Sequence, residues 1–136
     1  LNPLAAACPG ATLLSTDANV QCAAPFAANA SAVLSRASAG HAAAFRTADD
    51  KEAAALAESE RFNFVIVDPP RRGLGREVVQ RLSASASVAT VMYVSCGPNN
   101  FCKDADDFLA CGFRLVMLRC YDSFPATAHI EVLGIF

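Results

Sequence analysis

Two stretches of the chain are apolar at nearly every position, yet both are too short to be helices. Residues 62–67 (FNFVIV) and 90–94 (TVMYV) are rich in β-branched side chains, the pattern of strands buried on both faces of a sheet. Between them, Leu74, Val78, Val79 and Leu82 recur at three- and four-residue spacing, which predicts an amphipathic helix over 74–83. A further helix is expected over 100–111, stopped by Gly112 where a left-handed residue closes the last turn. Upstream, alanine clusters at 5–7, 42–44 and 53–55 blur the periodicity. A strand over 11–16, a helix over 19–36, a short strand over 43–46 and a helix over 50–60 fit that region. Asp17 or Asn19 can cap the first of those helices, and Pro25 is its one interruption. Strands over 113–121 and 129–136 complete the chain.

The order is β-α-β-α-β-α-β-α-β-β. Alternation of this kind implies right-handed crossovers and a mostly parallel α/β sheet with helices on both faces. The last two strands have no helix between them, so an antiparallel C-terminal edge is expected. Neither a repeat nor a linker divides the chain, and 1–136 reads as a single domain. In wound sheets, ligands sit beyond the carboxyl ends of the strands. Asp17, Asp49, Asp68 and Cys96 all fall there.

Composition narrows the functional classes. With 54% hydrophobic and 18% charged residues over 136 positions, the chain has enough apolar material for a core and is not disordered. No apolar run approaches the roughly 18 residues of a membrane span. The start carries Pro3 and Pro9 and no positive charge, so it is not a secretory signal. It does not begin with Met, which suggests a piece of something longer. A net charge of −2 argues against strong unaided binding to nucleic acid. If RNA is the partner, another region must supply much of the grip. The six cysteines form no C-x-x-C pair, and His41 and His129 are the only histidines, so no metal site is expected. Reduced thiols in an intracellular setting, the cytoplasm first, fit this usage better than disulfides.

Cys96 ends a buried strand and precedes Gly97-Pro98 and a helix. A free thiol with a pKa of about 8.5 is only a few per cent thiolate at neutral pH. A helix N-terminus or nearby cation can lower that value and make a nucleophile; a buried structural cysteine is the competing reading. In His129-Ile130-Glu131 the alternation of a strand points His129 and Glu131 one way and Ile130 and Val132 the other. A carboxylate buried there titrates upward, which suits a general base, whereas an edge residue facing solvent is the plainer alternative. Asp68-Pro69-Pro70-Arg71-Arg72-Gly73 is stiff, because two prolines fix φ and withhold two donors. Its carboxylate can accept from a ligand or be neutralised by Arg71 or Arg72. Asp17 stands where nucleotide-binding sheets place a carboxylate for ribose hydroxyls, although helix capping explains it equally well.

In order, FVIVDPPRRGL, VMYVSCGPNNFCKD and YDSFPATAHIEVLGIF closely resemble the C-terminal half of the S-adenosylmethionine-dependent RNA uracil-5-methyltransferases. These enzymes make 5-methyluridine in tRNA and rRNA. The resemblance is strongest over 62–136. It implies a Rossmann-like class I methyltransferase fold and S-adenosyl-L-methionine as cofactor. It also implies Cys96 as the nucleophile toward carbon 6 of uracil and Glu131 as the base that removes the carbon 5 proton. Asp17, Asp49 and Asp68 become cofactor-binding carboxylates. There are departures. Gly97 replaces the usual Asn after the cysteine, which is expected to loosen the turn. The family's first strand and glycine loop have no counterpart, and that strand normally lies between the Leu13 and Phe64 strands. A missing N-terminal region of a longer parent chain is thus an expected partner beside the RNA. An open sheet edge is also compatible with a homodimer. The isolated chain is expected to be weak or inactive. The alternative is a non-catalytic RNA-binding or assembly module that keeps the fold. A cysteine-dependent hydrolase would need a histidine near Cys96 and has only His129 to offer.

Overall fold

The computed structural model describes residues 10–34, 40 and 42–136. Cys8, His41 and the predicted end of the first helix near Arg36 lie outside the described residues. Although 1–136 reads as one domain, the chain divides into two compact units, Leu1–Asp49 and Asp50–Phe136, and each has its own sheet.

In the first unit β1 (Thr12–Asp17) runs parallel to β2 (Ala42–Thr47), with Leu14 opposite Ala44 and Asp17 opposite Thr47. The crossover holds a single 3-10 turn (Val20–Cys22) and helix α1 (Ala23–Leu34). Asn19 caps this segment, its side chain accepting from the Gln21 amide at 3.0 Å. Pro25 explains the division. It lacks an N–H and crowds the carbonyl four residues back, so it is accommodated in the first turn of an α-helix that begins at Ala23. Phe26 of α1 packs on Phe45 of β2 with ring centroids 5.7 Å apart.

The second unit runs α2 (Asp50–Ser59), β3 (Phe64–Val67), α3 (Arg76–Ala84), β4 (Thr90–Ser95), α4 (Pro98–Ala110), β5 (Met117–Tyr121) and β6 (Glu131–Ile135). Its sheet has the order β3-β4-β6-β5. β3 and β4 are parallel, and β6 is antiparallel to both β4 and β5. The expected antiparallel C-terminal edge is present, with the last strand inserted one place in from the edge. Ala54, Ala57, Val78, Val79, Leu82, Phe101 and Phe108 of the helices gather with Val91, Tyr93 and Val132 of the strands in one core. The expected burial of β3 on both faces is not met: the core lies on the side of Val65 and Val67, and alternation leaves Phe64 and Ile66 on the other face, 40% and 47% exposed.

Two strands, β3 and β5, start later than the apolar pattern suggests, for one shared reason: the leading residue closes the preceding helix. Phe62 donates its N–H to the Ala57 carbonyl at 3.0 Å and Phe113 donates to Phe108 at 3.1 Å, so β3 begins at Phe64 and β5 at Met117. Helix α3 begins at Arg76 rather than Leu74 because Gly73 and Gly75 hold φ of +81° and +79°, a region that favours glycine and ends helical geometry.

Candidate active site

The β4–β6 ladder carries the central relationship. Met92 faces Ile135, Tyr93 faces Gly134, Val94 faces Leu133 and Ser95 faces Val132. One further step in that register sets Cys96 against Glu131. Both are half-buried. Alternation puts Cys96 on the face of Met92 and Val94, and Glu131 on that of Leu133 and Ile135, which is the face away from the helical core. Asp68 follows β3 on the same face as Phe64 and Ile66, and at the same end, because β3 and β4 are parallel. The second unit therefore brings Asp68, Cys96 and Glu131 to one end of one sheet face.

The turn holding the thiol is well fixed. Buried Ser95 accepts the Gly97 amide through its hydroxyl at 3.0 Å, which closes the backbone around Cys96. Gly97 then caps α4, with Pro98 in the first turn where its missing donor costs nothing. A Cβ on Gly97 would stand 2.9 Å from the Arg71 carbonyl. The glycine that the family resemblance marks as a loosening departure thus allows a close approach of backbone to backbone. Asn100 donates from Nδ2 to that same carbonyl at 2.7 Å. The Arg71 guanidinium reaches back to His129, Nη2 to Nδ1 at 3.5 Å. Arg71 therefore touches the two other motifs, through its carbonyl and through its side chain.

Arg72 does not neutralise Asp68; its Nη2 lies 2.8 Å from Asp50. Asp68 is exposed. In the first unit Asp17 ends β1, where its carboxylate accepts the Asn19 amide at 2.7 Å and its carbonyl accepts the Ala48 amide at 3.1 Å. Asp49 follows β2 and is exposed. Asp17 and Asp49 thus both stand at the carboxyl end of the β1–β2 pair, and Asp17 also holds the amide of Asn19, the residue that caps the next segment. Partial burial, then the Asp17 carboxylate, push the Cys22 thiol above its ordinary pKa, making it a poor nucleophile. Among the described residues, no group of three His, Cys, Asp or Glu is placed to hold a metal ion, and no helix is long and apolar enough to cross a membrane.

One residue of the site escapes sequence reading. Asp104 is 4% exposed and binds the loop after Asp68, as developed below. The available signal was an acidic residue on the helical face that also carries Phe101, Ala105 and Phe108.

The second unit is an α/β arrangement whose last strand runs against the other three, with Asp68 and the Cys96 turn at the carboxyl ends of β3 and β4. A solved structure titled a putative SAM-dependent methyltransferase from Streptococcus mutans shares the fold. Its TM-score is 0.63 at 14% identity, over 90% of this chain and 37% of that one. The family profile of tRNA (uracil-5-)-methyltransferase matches residues 17–136, and the chain belongs to that family. Similar proteins include an uncharacterized RNA methyltransferase of Treponema denticola, 38% identical over 68% of this chain and 23% of its own length. Another is the 23S rRNA (uracil(747)-C(5))-methyltransferase RlmC of Shewanella halifaxensis, 48% identical over 51% of this chain and 18% of its own. The chain spans about a fifth of the length of these curated relatives.

Proposed function

We propose that this chain is the catalytic part of an enzyme that methylates carbon 5 of uridine in tRNA or rRNA through a covalent cysteine adduct. The observation that carries the reading is the register that sets Cys96 against Glu131 at the mouth of the β4–β6 ladder.

Carbon 5 of uracil is too weak a nucleophile to take a methyl group unaided. Addition of the Cys96 thiolate to carbon 6 makes the ring an enolate whose carbon 5 is nucleophilic. S-adenosylmethionine, the family's methyl donor, supplies an electrophilic methyl group when bound. Glu131, across the strand from the thiol, then takes the remaining carbon 5 proton. The electron pair of that C–H bond reforms the 5,6 double bond and expels the Cys96 thiolate. The target base reaches this pocket only when turned out of its stack.

The cofactor calls for acceptors. Its hydroxyl, amino and ammonium groups all donate hydrogen bonds. The family resemblance assigns these groups to Asp17, Asp49 and Asp68, each an acceptor at the end of a strand, where such ligands bind. A longer parent chain, of the length the relatives have, would hold the RNA phosphates that a net charge of −2 does not attract. An RNA substrate fits an intracellular setting, in the cytoplasm, the nucleus or an organelle.

The test mixes the full-length protein carrying this chain with S-adenosylmethionine and RNA containing 5-fluorouridine. Fluorine does not leave as a proton, so a working thiol is trapped in an adduct that survives denaturing electrophoresis. An adduct lost on Cys96→Ala supports the reading. Absence of any adduct would favour a non-catalytic RNA-binding module.

A further inference from the structure

Asp104 is a buried carboxylate at the end of the cysteine motif, to which the sequence reading gave no role, and every oxygen it presents is used. Oδ2 accepts the Tyr93 hydroxyl at 2.6 Å and the Leu74 amide at 2.7 Å. Oδ1 accepts the Gly75 amide at 3.0 Å. Gly73 lies directly against it: a Cβ there would stand 2.5 Å from Oδ2, so only glycine lets the loop close over the carboxylate. Gly97, Asn100 and Asp104 are spaced three and four apart and form one stripe at the start of α4. This stripe meets the loop after Asp68 at Arg71, Leu74 and Gly75.

Leaving a carboxylate uncompensated in such a place is strongly unfavourable, and an apolar side chain would fill the position without needing three donors. What the carboxylate adds is direction, because it ties two backbone amides of the loop to a tyrosine on the strand that ends in the nucleophile's turn. We infer that Asp104 is a positioning residue. It holds loop 71–75 against β4 and so sets the Asp68 strand end relative to the Cys96 turn. Burial first, then the Asp104 carboxylate, push the Tyr93 hydroxyl far above its ordinary pKa, which keeps it a donor throughout the working pH range. The inference depends on the proposed function only in taking Cys96 as the thiol to be placed.

The test is the rate at which iodoacetamide alkylates each cysteine of the 136-residue chain, read peptide by peptide by mass spectrometry. Neither RNA nor cofactor is needed. Cys102, exposed on α4, is the internal reference. Asp104→Asn keeps the shape but replaces one acceptor oxygen with a donor. Gly73→Ala leaves Asp104 intact and forces the loop away. Tyr93→Phe removes only the strand anchor. In Asp104→Asn and Gly73→Ala the Cys96 rate is expected to change about threefold or more, since thiol reactivity follows its immediate surroundings, with Cys102 unchanged. Tyr93→Phe should give a smaller change in the same direction. If Asp104→Asn does not fold, the other two variants decide. Unchanged Cys96 rates, or Cys96 and Cys102 moving together, would overturn the inference, the latter by showing general loosening. A missing fluorouridine adduct beside an altered Cys96 rate would remove the proposed reaction and leave the positioning role standing.

Discussion

Gly134 lies in the middle of β6, paired to Tyr93 on one side and Leu118 on the other. A Cβ placed there would stand 2.7 Å and 2.8 Å from two ring carbons of Phe101 and 3.2 Å from Phe136. Ordinary carbon contacts optimise at about 3.5–4.0 Å, so Gly134→Ala must displace something by most of an ångström. The ring has little freedom to yield. Phe101 is 4% exposed, stands edge-on to Tyr93 at 5.2 Å and tilts against Phe136 at 6.1 Å. Phe136 in turn stacks on Phe108 at 4.9 Å. The strand is equally constrained, with ladders on both sides. Overpacking of this kind costs about 1–3 kcal/mol, and each kcal/mol lowers Tm by about 4–8 °C in a unit of this size. Thermal and urea melts followed by circular dichroism measure it. Phe101→Leu frees the space, so the double variant should be less destabilised than the sum of the singles, with a coupling of about 0.5–3 kcal/mol. A Gly134→Ala protein within about 0.5 kcal/mol of the parent, or strict additivity, would refute a rigid aromatic layer under β6.

Tyr93→Phe removes the hydroxyl bond to Asp104 and should cost about 1–3 kcal/mol at neutral pH. The native state holds the Tyr93 proton above the ordinary tyrosine pKa, while the unfolded chain releases it near pH 10. Parent stability should therefore fall more steeply above about pH 10 than that of Tyr93→Phe, by up to about 1.4 kcal/mol per pH unit; parallel curves in alkaline urea melts would contradict this. Lys51 and Glu77 meet at 2.6 Å with both side chains largely exposed, so Lys51→Ala should change stability by less than about 1 kcal/mol, and a larger loss would show the pair to be more than a surface contact. In the full-length protein Asp68→Asn should weaken S-adenosylmethionine binding about tenfold, as expected for loss of a charged acceptor, with titration calorimetry as the check. The isolated 136 residues should transfer no label from methyl-labelled S-adenosylmethionine to RNA, and measurable transfer would overturn that expectation.

Much of this architecture is legible in the residue pattern because local signals and tertiary demands agree. FVIV and TVMYV are strands by composition, and they pair in parallel, though each turns only one face to the core. Phe62 and Phe113 show where local reading fails: each is apolar and adjoins a strand, but its amide closes a helix, and hydrophobicity carries no record of that choice. The motif residues Asp68, Cys96 and Glu131 could be named from sequence, yet their placement on one sheet face depends on β6 entering between β4 and β5. Pattern alone gave only an antiparallel edge. Asp104 was hidden for a different reason. Its partners Leu74, Gly75 and Tyr93 lie 30, 29 and 11 residues away, and no short window contains the bonds that make its burial tolerable.

The insertion of β6 also bears on the order of assembly. β4 and β5 are both made before residues 131–136, and β4 can pair with β3, but neither can form its ladder with β6 until those residues leave the ribosome. Until then the Met92 to Ser95 edge of β4 is a bare row of amides and carbonyls, the kind of edge that recruits other chains. The strand that closes it brings Glu131 with it. Capping of the nascent sheet and delivery of the candidate base are therefore a single event, and a chain stalled or clipped before β6 loses its protection against aggregation together with half of its chemistry.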